Sequence, residues 1–382
     1  MDHATQVALL RRAFAMLDDG STDMADAPYV NRVQTYTDVR RLEDERQLLF
    51  GQEPLLIALS SDLPAPGTYW TSSEGEVPLL LTRDKSGSVR ALANVCRHRG
   101  ARVAAGAGKA SRWTCPYHGW TYDEGGSLVS MPCREGFEGI DSATLGLRSL
   151  PVCERHGMIF VIPRAGGDAI DVDAHLAGAQ HELAAFGLAG YVPFARSVTT
   201  PAMNWKLTVD TFLEAYHVPS LHRQTLGPLI LGSPALWDRF GRGGRLVAIR
   251  KSVHGMRSKP EDQWTLLEHA TILYQLFPNV VLIYQGDHVE LIQAYPGASP
   301  DCATVVFSLY TPGAVADEKS RRYFQANFEL LVGTVCREDF VIGEQAQRGF
   351  HSGAQDSIIY GRNEPGLAHY HRMLNASLGR LG

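Results

Sequence analysis

Apolar residues near the start of the chain, Val7, Leu9, Leu10, Phe14 and Leu17, recur at helical spacing until a stretch of Gly, Ser, Asp and Pro ending at Pro28 interrupts them. Thr37 and Asp38 can then cap a helix beginning near Val39, so the segment up to about Arg41 reads as a helical arm. Between Gly67 and Pro163 the pattern changes to short apolar or alternating runs broken by turn residues. Val77–Thr82 and Val89–Val95 flank Asp84-Lys85-Ser86-Gly87, and Trp120–Tyr122 and Ser127–Ser130 flank Asp123-Glu124-Gly125-Gly126, so each pair predicts a hairpin. With Leu150–Cys153 and Met158–Ile162 these runs make an all-β module.

Ala165-Gly166-Gly167-Asp168 marks a boundary. Beyond it the pattern predicts a helical stretch over Val172–Phe186, a strand near Phe194–Thr200, and a helix from Trp205 that Pro219 ends or kinks. Thr265–Gln275, Asn279–Gln285, Val289–Tyr295 and Thr304–Thr311 read as an antiparallel sheet, and Asp317–Arg348 as a long closing helix. The second half is therefore an α+β domain.

A chain of 382 residues holds two or three units of ordinary size. Its formal charge of −5 gives no global field for nucleic acid or an anionic membrane, so neither is expected as a partner. The start, Met1-Asp2-His3-Ala4-Thr5, has no cationic region, and no apolar run reaches membrane-spanning length, so a cytoplasmic location is expected. Six cysteines, at 96, 115, 133, 153, 302 and 336, are too sparse for a disulfide scaffold and point to metal or to packing.

Cys96-Arg97-His98 and Cys115-Pro116-Tyr117-His118 each offer one thiolate and one imidazole. Two such loops can converge with both cysteines on one iron and both histidines on the other, the division of a Rieske [2Fe–2S] centre. Zinc fingers keep their cysteines together and their histidines together, and here the order is mixed. Gly100 and Gly119 suit tight loops whose amides approach sulfur. Cys96-Arg97-His98-Arg99-Gly100 and Cys115-Pro116-Tyr117-His118-Gly119-Trp120 resemble the two boxes of the Rieske family residue for residue. Arg97, Arg99, Arg102, Lys109 and Arg112 concentrate positive charge around them, as a solvated face or as a docking patch for an acidic electron-transfer partner.

The segment from Asn204 to His222 carries the second constellation. On one helix, Asp210, Glu214 and His217 would stand at i, i+4, i+7 and share a face, and a kink at Pro219 would bring His222 back toward the same point. Two imidazoles and a carboxylate form the facial triad of non-haem Fe(II) oxygenases. The segment resembles the Asn-Trp-Lys…(Asp/Glu)-x-x-His-x-x-x-x-His motif of catalytic alpha subunits of Rieske non-haem iron oxygenases, and with the cluster boxes the similarity runs from about residue 36 to 348.

The resemblance implies an N-terminal arm over 1–44 packing on the catalytic domain, a Rieske domain over 45–166, and a catalytic domain over 167–382 of helix-grip, START-like form. Cys96, His98, Cys115 and His118 would hold the cluster; His217, His222 and Asp339 would hold the mononuclear Fe(II), with Glu344 in support. Glu214 would bridge that iron to a cluster histidine of the neighbouring subunit in a head-to-tail homotrimer, its Glu resembling the minority pattern of quaternary-amine monooxygenases. Asp210 would act beside a ligand histidine or as a solvated helix residue. O2 is the co-substrate, and a separate ferredoxin or flavin reductase supplies electrons. NAD(P)H acts only through it, since Gly106-Ala107-Gly108-Lys109 lacks the dinucleotide fingerprint.

Phe212, Leu221, Leu226, Leu229, Ile230, Leu231, Trp237, Phe240, Tyr274, Val281 and Ile283 are the candidate pocket lining. They favour a small aromatic or apolar substrate that is hydroxylated or demethylated. Alternatively, Trp237, Phe240 and Tyr274 frame a quaternary ammonium by cation–π contacts. A pure electron carrier would need no triad.

Overall fold

The computed structural model describes residues 1–379 and divides into two compact units, Arg46–Val172 and Met1–Glu45 with Asp173–Gly382. The glycine stretch at 165–168 stays with the first unit, because Gly167 packs against Pro151 and Ile162.

The Arg46–Val172 unit is built from three antiparallel sheets. Leu79–Arg83 and Val89–Ala93 form the first expected hairpin. Its turn is closed by Asp84, whose Oδ1 accepts from the Ser86 and Ser88 amides at 2.9 and 3.0 Å, with Gly87 at φ +87°. Thr121–Asp123 and Leu128–Ser130 form the second hairpin, beside Arg112–Thr114. Leu80, Leu92, Trp113, Trp120 and Tyr122 share a core cluster with the thiols of Cys96 and Cys115. The Ala107–Lys109 segment is an edge strand on Thr68–Trp70.

The other unit is organised by a seven-stranded antiparallel sheet: β1 (Val192–Thr199), β2 (Ile230–Phe240), β3 (Gly243–Arg250), β4 (Ala270–Leu276), β5 (Val280–Tyr284), β6 (Val289–Pro296) and β7 (Ala303–Thr311). Strands β2 to β7 form a meander, and β1 closes the far edge beside β7. Strands β2 and β3 are not announced by the sequence pattern. Gly232, Ser233 and Pro234 break the alternation where the register between them shifts, and Gly243-Gly244 reads as a turn. A side chain on Gly244 would put its Cβ 2.3 Å from the Trp237 ring, so the glycine is required by close approach.

The closing helix is Glu318–Thr334 and Phe340–His351 joined by a π-helical turn, Val335–Asp339. Asp317 caps it by accepting from the Ser320 amide at 2.8 Å, and its first part packs on β1 and β7. The expected helix over Val172–Phe186 is two, Val172–Leu176 and Ala179–Ala185, divided where Ala177 and Gly178 adopt positive φ. The arm contributes the helix His3–Asp19 and a strand, Tyr29–Arg32, paired with Ser357–Tyr360. A further helix, Pro365–Ser377, was not anticipated. Among the described residues no helix is long and apolar enough to cross a membrane.

Candidate active site

In the β unit the two Cys/His loops repeat one geometry. The Gly100 amide donates to the Cys96 carbonyl at 2.9 Å, and the Gly119 amide to the Cys115 carbonyl at 3.0 Å. Both glycines have positive φ, +78° and +74°, which is what lets each loop fold back within five residues. Both thiols are buried and free of disulfides, while the imidazoles of His98 and His118 are half-buried with ring centroids 4.5 Å apart. Trp120 stacks on His98 at 5.0 Å and fixes its ring plane.

Tyr122 lies 3.3 Å from Cys96 Sγ and accepts from the Arg97 amide at 3.0 Å. Burial, then the Cys96 side chain, raises its phenol well above the ordinary value, so it stays a donor toward sulfur. Desolvation, then His98 and Arg99, lowers the His118 pKa and favours the neutral imidazole that can ligate. Two buried thiols, two converging imidazoles and a buried His98 Nδ1 with no hydrogen-bond partner fit a Cys₂His₂ cluster. Arg97, Arg99, Arg102, Lys109 and Arg112 are all exposed.

In the unit built on the seven-stranded sheet the helix from Trp205, capped by Asn204, ends at Thr211 rather than at Pro219. The chain then loops, and Pro219 sits in the first turn of a short helix, Val218–Leu221. Asp210, Glu214 and His217 therefore do not share one helix face. Asp210 lies on the helix and turns into a buried network: Tyr36 donates to its Oδ2 at 2.5 Å, and His371 Nε2 lies 2.9 Å from its Oδ1. The expectation that Asp210 attends a ligand histidine is corrected, because the helix ends too early to aim it there.

Glu214 and His217 lie in the loop. The Glu214 carboxylate holds His217 Nδ1 and accepts from the His217 amide at 3.1 Å. His222, buried, has its Nδ1 2.8 Å from Glu338 Oε2, which also accepts from Thr225 at 3.1 Å. With both Nδ1 atoms engaged, each Nε2 turns to buried Asp339, whose Oδ1 lies 3.5 Å from His217 and 3.1 Å from His222. One ligand atom from each of His217, His222 and Asp339 falls within 4.8 Å of the others, a set that fits a single divalent ion with open positions. Burial opposes charge on His222, but hydrogen bonds and charge from Asp339 and Glu338 outweigh it and raise its pKa.

Glu338, adjacent to Asp339 and a rival carboxylate for the ligand position in the sequence, instead engages the far nitrogen of His222, a role the sequence does not indicate. Glu344, expected to support the site, accepts instead from the Ala202 amide at 3.0 Å.

The triad opens on a cavity of about 400 Å³. Phe212, Leu226, Leu229, Ile230 and Ile283 line it as expected, whereas Leu221, Leu231, Trp237, Phe240, Tyr274 and Val281 do not. Tyr274 alternates with Leu273 and points to the opposite sheet face, where its hydroxyl donates to Glu182. Trp237 bonds the arm through Asp23, and Phe240 lies under the Arg245 guanidinium, so no cage forms from these three rings. The sheet wall instead adds polar groups: Arg250, Thr271, Gln285, His288 and Glu290.

Comparison with known proteins agrees with this division. The Rieske [2Fe-2S] domain family matches residues 53–151, and the family described as ring hydroxylating alpha subunit (catalytic domain) matches residues 188–380, half of the chain. Chloroplastic choline monooxygenase of Spinacia oleracea is 28% identical over 348 residues, 90% of this chain and 77% of that protein. The glycine betaine monooxygenase oxygenase subunit of Pseudomonas aeruginosa is 32% identical over 196 residues, 51% of this chain and 45% of that protein. The crystal structure of the quaternary ammonium Rieske monooxygenase CntA in complex with L-carnitine shares the fold, with a TM-score of 0.78 over 94% of this chain and 97% of that one, at 21% identity. Family membership brings the cofactors with it: a Rieske [2Fe–2S] cluster, a mononuclear iron, and O2 as co-substrate. The chain belongs to the Rieske non-haem iron oxygenases, as a terminal-oxygenase alpha subunit.

Proposed function

We propose that this chain hydroxylates an N-methyl or neighbouring carbon of a small quaternary ammonium compound. The observation that carries the reading is the cavity wall: the triad shares its cavity with Arg250, Gln285, His288 and Glu290. These groups bond one another, but Arg250 is held only by neutral acceptors, so its charge is one that a polar ligand uses and an aromatic hydrocarbon does not. Relatives that span 90% of the chain are named choline monooxygenases, which favours the same substrate class over the aromatic one.

In this reading Cys96 and Cys115 hold one cluster iron and His98 and His118 the other. His217, His222 and Asp339 hold the catalytic iron, which when bound supplies reductive activation of O2. Glu214 and Glu338 fix the two ligand imidazoles so that each Nε2 presents its lone pair. The apolar lining, including Phe212 and Leu273, keeps bulk water from the reacting carbon. The balance is R–CH3 + O2 + 2 electrons + 2 protons giving R–CH2OH + H2O. An N-hydroxymethyl product then breaks down to the shorter amine and formaldehyde.

Electrons come from NAD(P)H through a separate reductase or ferredoxin, and the exposed arginines around the cluster suit an acidic donor. The working unit is a head-to-tail homotrimer in which Glu214, hydrogen-bonded to His217, would bridge the catalytic iron site to a cluster histidine of the neighbouring subunit. This parallels the inter-subunit electron transfer described for CntA. The domain plan is an arm up to residue 45, a Rieske domain over 46–172 and a catalytic domain from residue 173 on.

The test is turnover of the iron-loaded protein with a surrogate reductase, NADH and O2. It is run against choline, glycine betaine, γ-butyrobetaine, naphthalene and biphenyl. Formaldehyde or aldehyde from a quaternary amine supports the proposal; cis-diol from a hydrocarbon, with no quaternary amine consumed, defeats it.

A further inference from the structure

Arg250 is the last residue of β3 and faces the same side of the sheet as Leu246 and Ala248, which also line the cavity. Its guanidinium is held by neutral groups: it donates to Gln285 Oε1 at 2.6 Å, to the Gln285 carbonyl at 3.3 Å and to Thr271 Oγ1 at 3.4 Å. It has no ion pair among the described residues. The two acids nearby are engaged elsewhere. Asp287 binds His288 Nδ1 and the Tyr323 hydroxyl, each at 2.7 Å. Glu290 accepts from Gln285 at 3.0 Å and faces His288 Nε2 at 3.4 Å. His288 is pushed up to about 9, burial being outweighed by Asp287 and Glu290, so at neutral pH its positive charge and Arg250's balance the two carboxylates.

Lys251, which also lines the cavity, is tied to the Gly227 carbonyl and adds a further positive charge, so an oriented guanidinium with no ion pair accepts a carboxylate here. Tyr323 and Asp339 both line the cavity from different turns of one helical rod, so the cavity runs along the rod. Arg250 has its electrostatic neighbours Asp287 and Tyr323 at one end, and the ligand triad is at the other.

We propose that Arg250, oriented by Gln285 and Thr271, is the carboxylate anchor of the substrate site, so that the substrate is an extended zwitterion with its methylated nitrogen toward His217, His222 and Asp339. The ammonium half of this statement rests on the function proposed above; the carboxylate half rests on Arg250 alone. The anchor selects betaine-type acids over choline-type alcohols.

The test is calorimetric binding to the anaerobic, cluster- and iron-loaded protein, with γ-butyrobetaine and its methyl ester as probes. The wild type is expected to bind the acid on the order of 10- to 100-fold more tightly than the ester, the ratio a charge-assisted hydrogen bond provides. In Arg250→Gln the ratio should fall to about one, and Arg250→Lys should retain part of it. Equal binding of acid and ester by the wild type, or a preference that survives Arg250→Gln, overturns the anchor. If neither quaternary amine binds, 4-phenylbutyrate and its methyl ester replace them. An Arg250-dependent preference for that acid keeps the anchor and discards the quaternary-amine reading, and no preference in either series overturns the anchor. An unchanged melting temperature and cluster spectrum in Arg250→Lys separates lost recognition from lost fold.

Discussion

Glu338 and His222 are hydrogen-bonded across 116 positions of sequence, Oε2 to Nδ1 at 2.8 Å, while the adjacent Asp339 meets the same ring at Nε2, 3.1 Å away. Consecutive residues of a regular helix diverge by about 100° and do not ordinarily reach opposite edges of one imidazole. Here they fall in the π-helical turn Val335–Asp339, whose extra residue widens the helix where these carboxylates project.

Removing Glu338 should loosen His222 without removing any ligand. For Glu338→Ala we expect mononuclear-iron affinity to fall by about 10- to 100-fold, the usual cost of losing a residue that orients a ligand histidine. The cluster spectrum should be unchanged, and excess Fe(II) should restore most turnover. Iron per chain after dialysis, measured beside the cluster absorbance, checks this; wild-type iron retention in the variant would show that Glu338 does not orient the site.

The cluster loops were legible in the sequence because their chemistry is local. Cys96, His98, Gly100 and Cys115, His118, Gly119 are each contained within five residues, so spacing alone fixes the turn. The sequence named His217, His222 and Asp339 together and the structure brings them within 4.8 Å of one another, but what supports them was not legible. Treating Trp205–Pro219 as one helix put Asp210 in the site, when a helix ending at Thr211 sends it to Tyr36 and His371. The partner of His222 comes from a distant segment through a π turn, and no period in the sequence announces such a turn. The cavity was misread on its sheet wall. Trp237, Phe240 and Tyr274 are apolar enough to line a pocket, but strand alternation turns Tyr274 away and the unrecognised hairpin of β2 and β3 supplied Arg250.

Tyr122 and Cys96, 3.3 Å apart, predict a redox effect. A hydrogen bond to a cluster sulfur stabilises the reduced, more negative state, so Tyr122→Phe should lower the cluster potential. A net hydrogen-bond contribution of about 1 kcal/mol corresponds to a shift of roughly 40 mV for one electron. Protein-film voltammetry of both proteins gives the shift directly, and an unchanged or higher potential would contradict the assignment.

His288 gives the protein a pH dependence of definite sign. Its folded-state pKa of about 9 exceeds the ordinary 6.5: burial lowers it, but hydrogen bonds and charge from Asp287 and Glu290 raise it further. The stabilisation is therefore fully present below about pH 6.5 and is lost as pH rises through 9, amounting to on the order of 3 kcal/mol. Lys206, which burial pulls down to about 8, contributes the opposite slope from 8 toward 10.5, so the useful quantity is a difference. Urea denaturation of wild type and His288→Gln between pH 6 and 10 should show the wild-type advantage shrinking as pH rises. A constant difference would mean that His288 is not charged in the fold.

Glu45 is the acid on which the end of the arm is fastened. It is fully buried; its Oε1 accepts from Arg41 at 2.9 Å, and its Oε2 accepts from Lys206 Nζ at 2.7 Å and from Trp205 Nε1 at 2.9 Å. Two buried cations thus depend on one carboxylate, and Arg41 passes the link on to Asn375 at 2.9 Å. Glu45→Gln keeps the shape but places an amide between Arg41 and Lys206 with no charge to offset them. Breaking a buried ion pair from one side costs about 3–5 kcal/mol, far more than the pair contributes over an apolar replacement. Glu45→Gln should therefore lower unfolding stability by several kcal/mol and lose amide protection over residues 39–45. Adding Lys206→Met to it should recover part of the loss, because the unpaired ammonium is then gone. Equilibrium denaturation of the two variants decides the matter: a single variant within 1 kcal/mol of wild type, or a double variant weaker than the single, would show that charge pairing at Glu45 does not hold the arm.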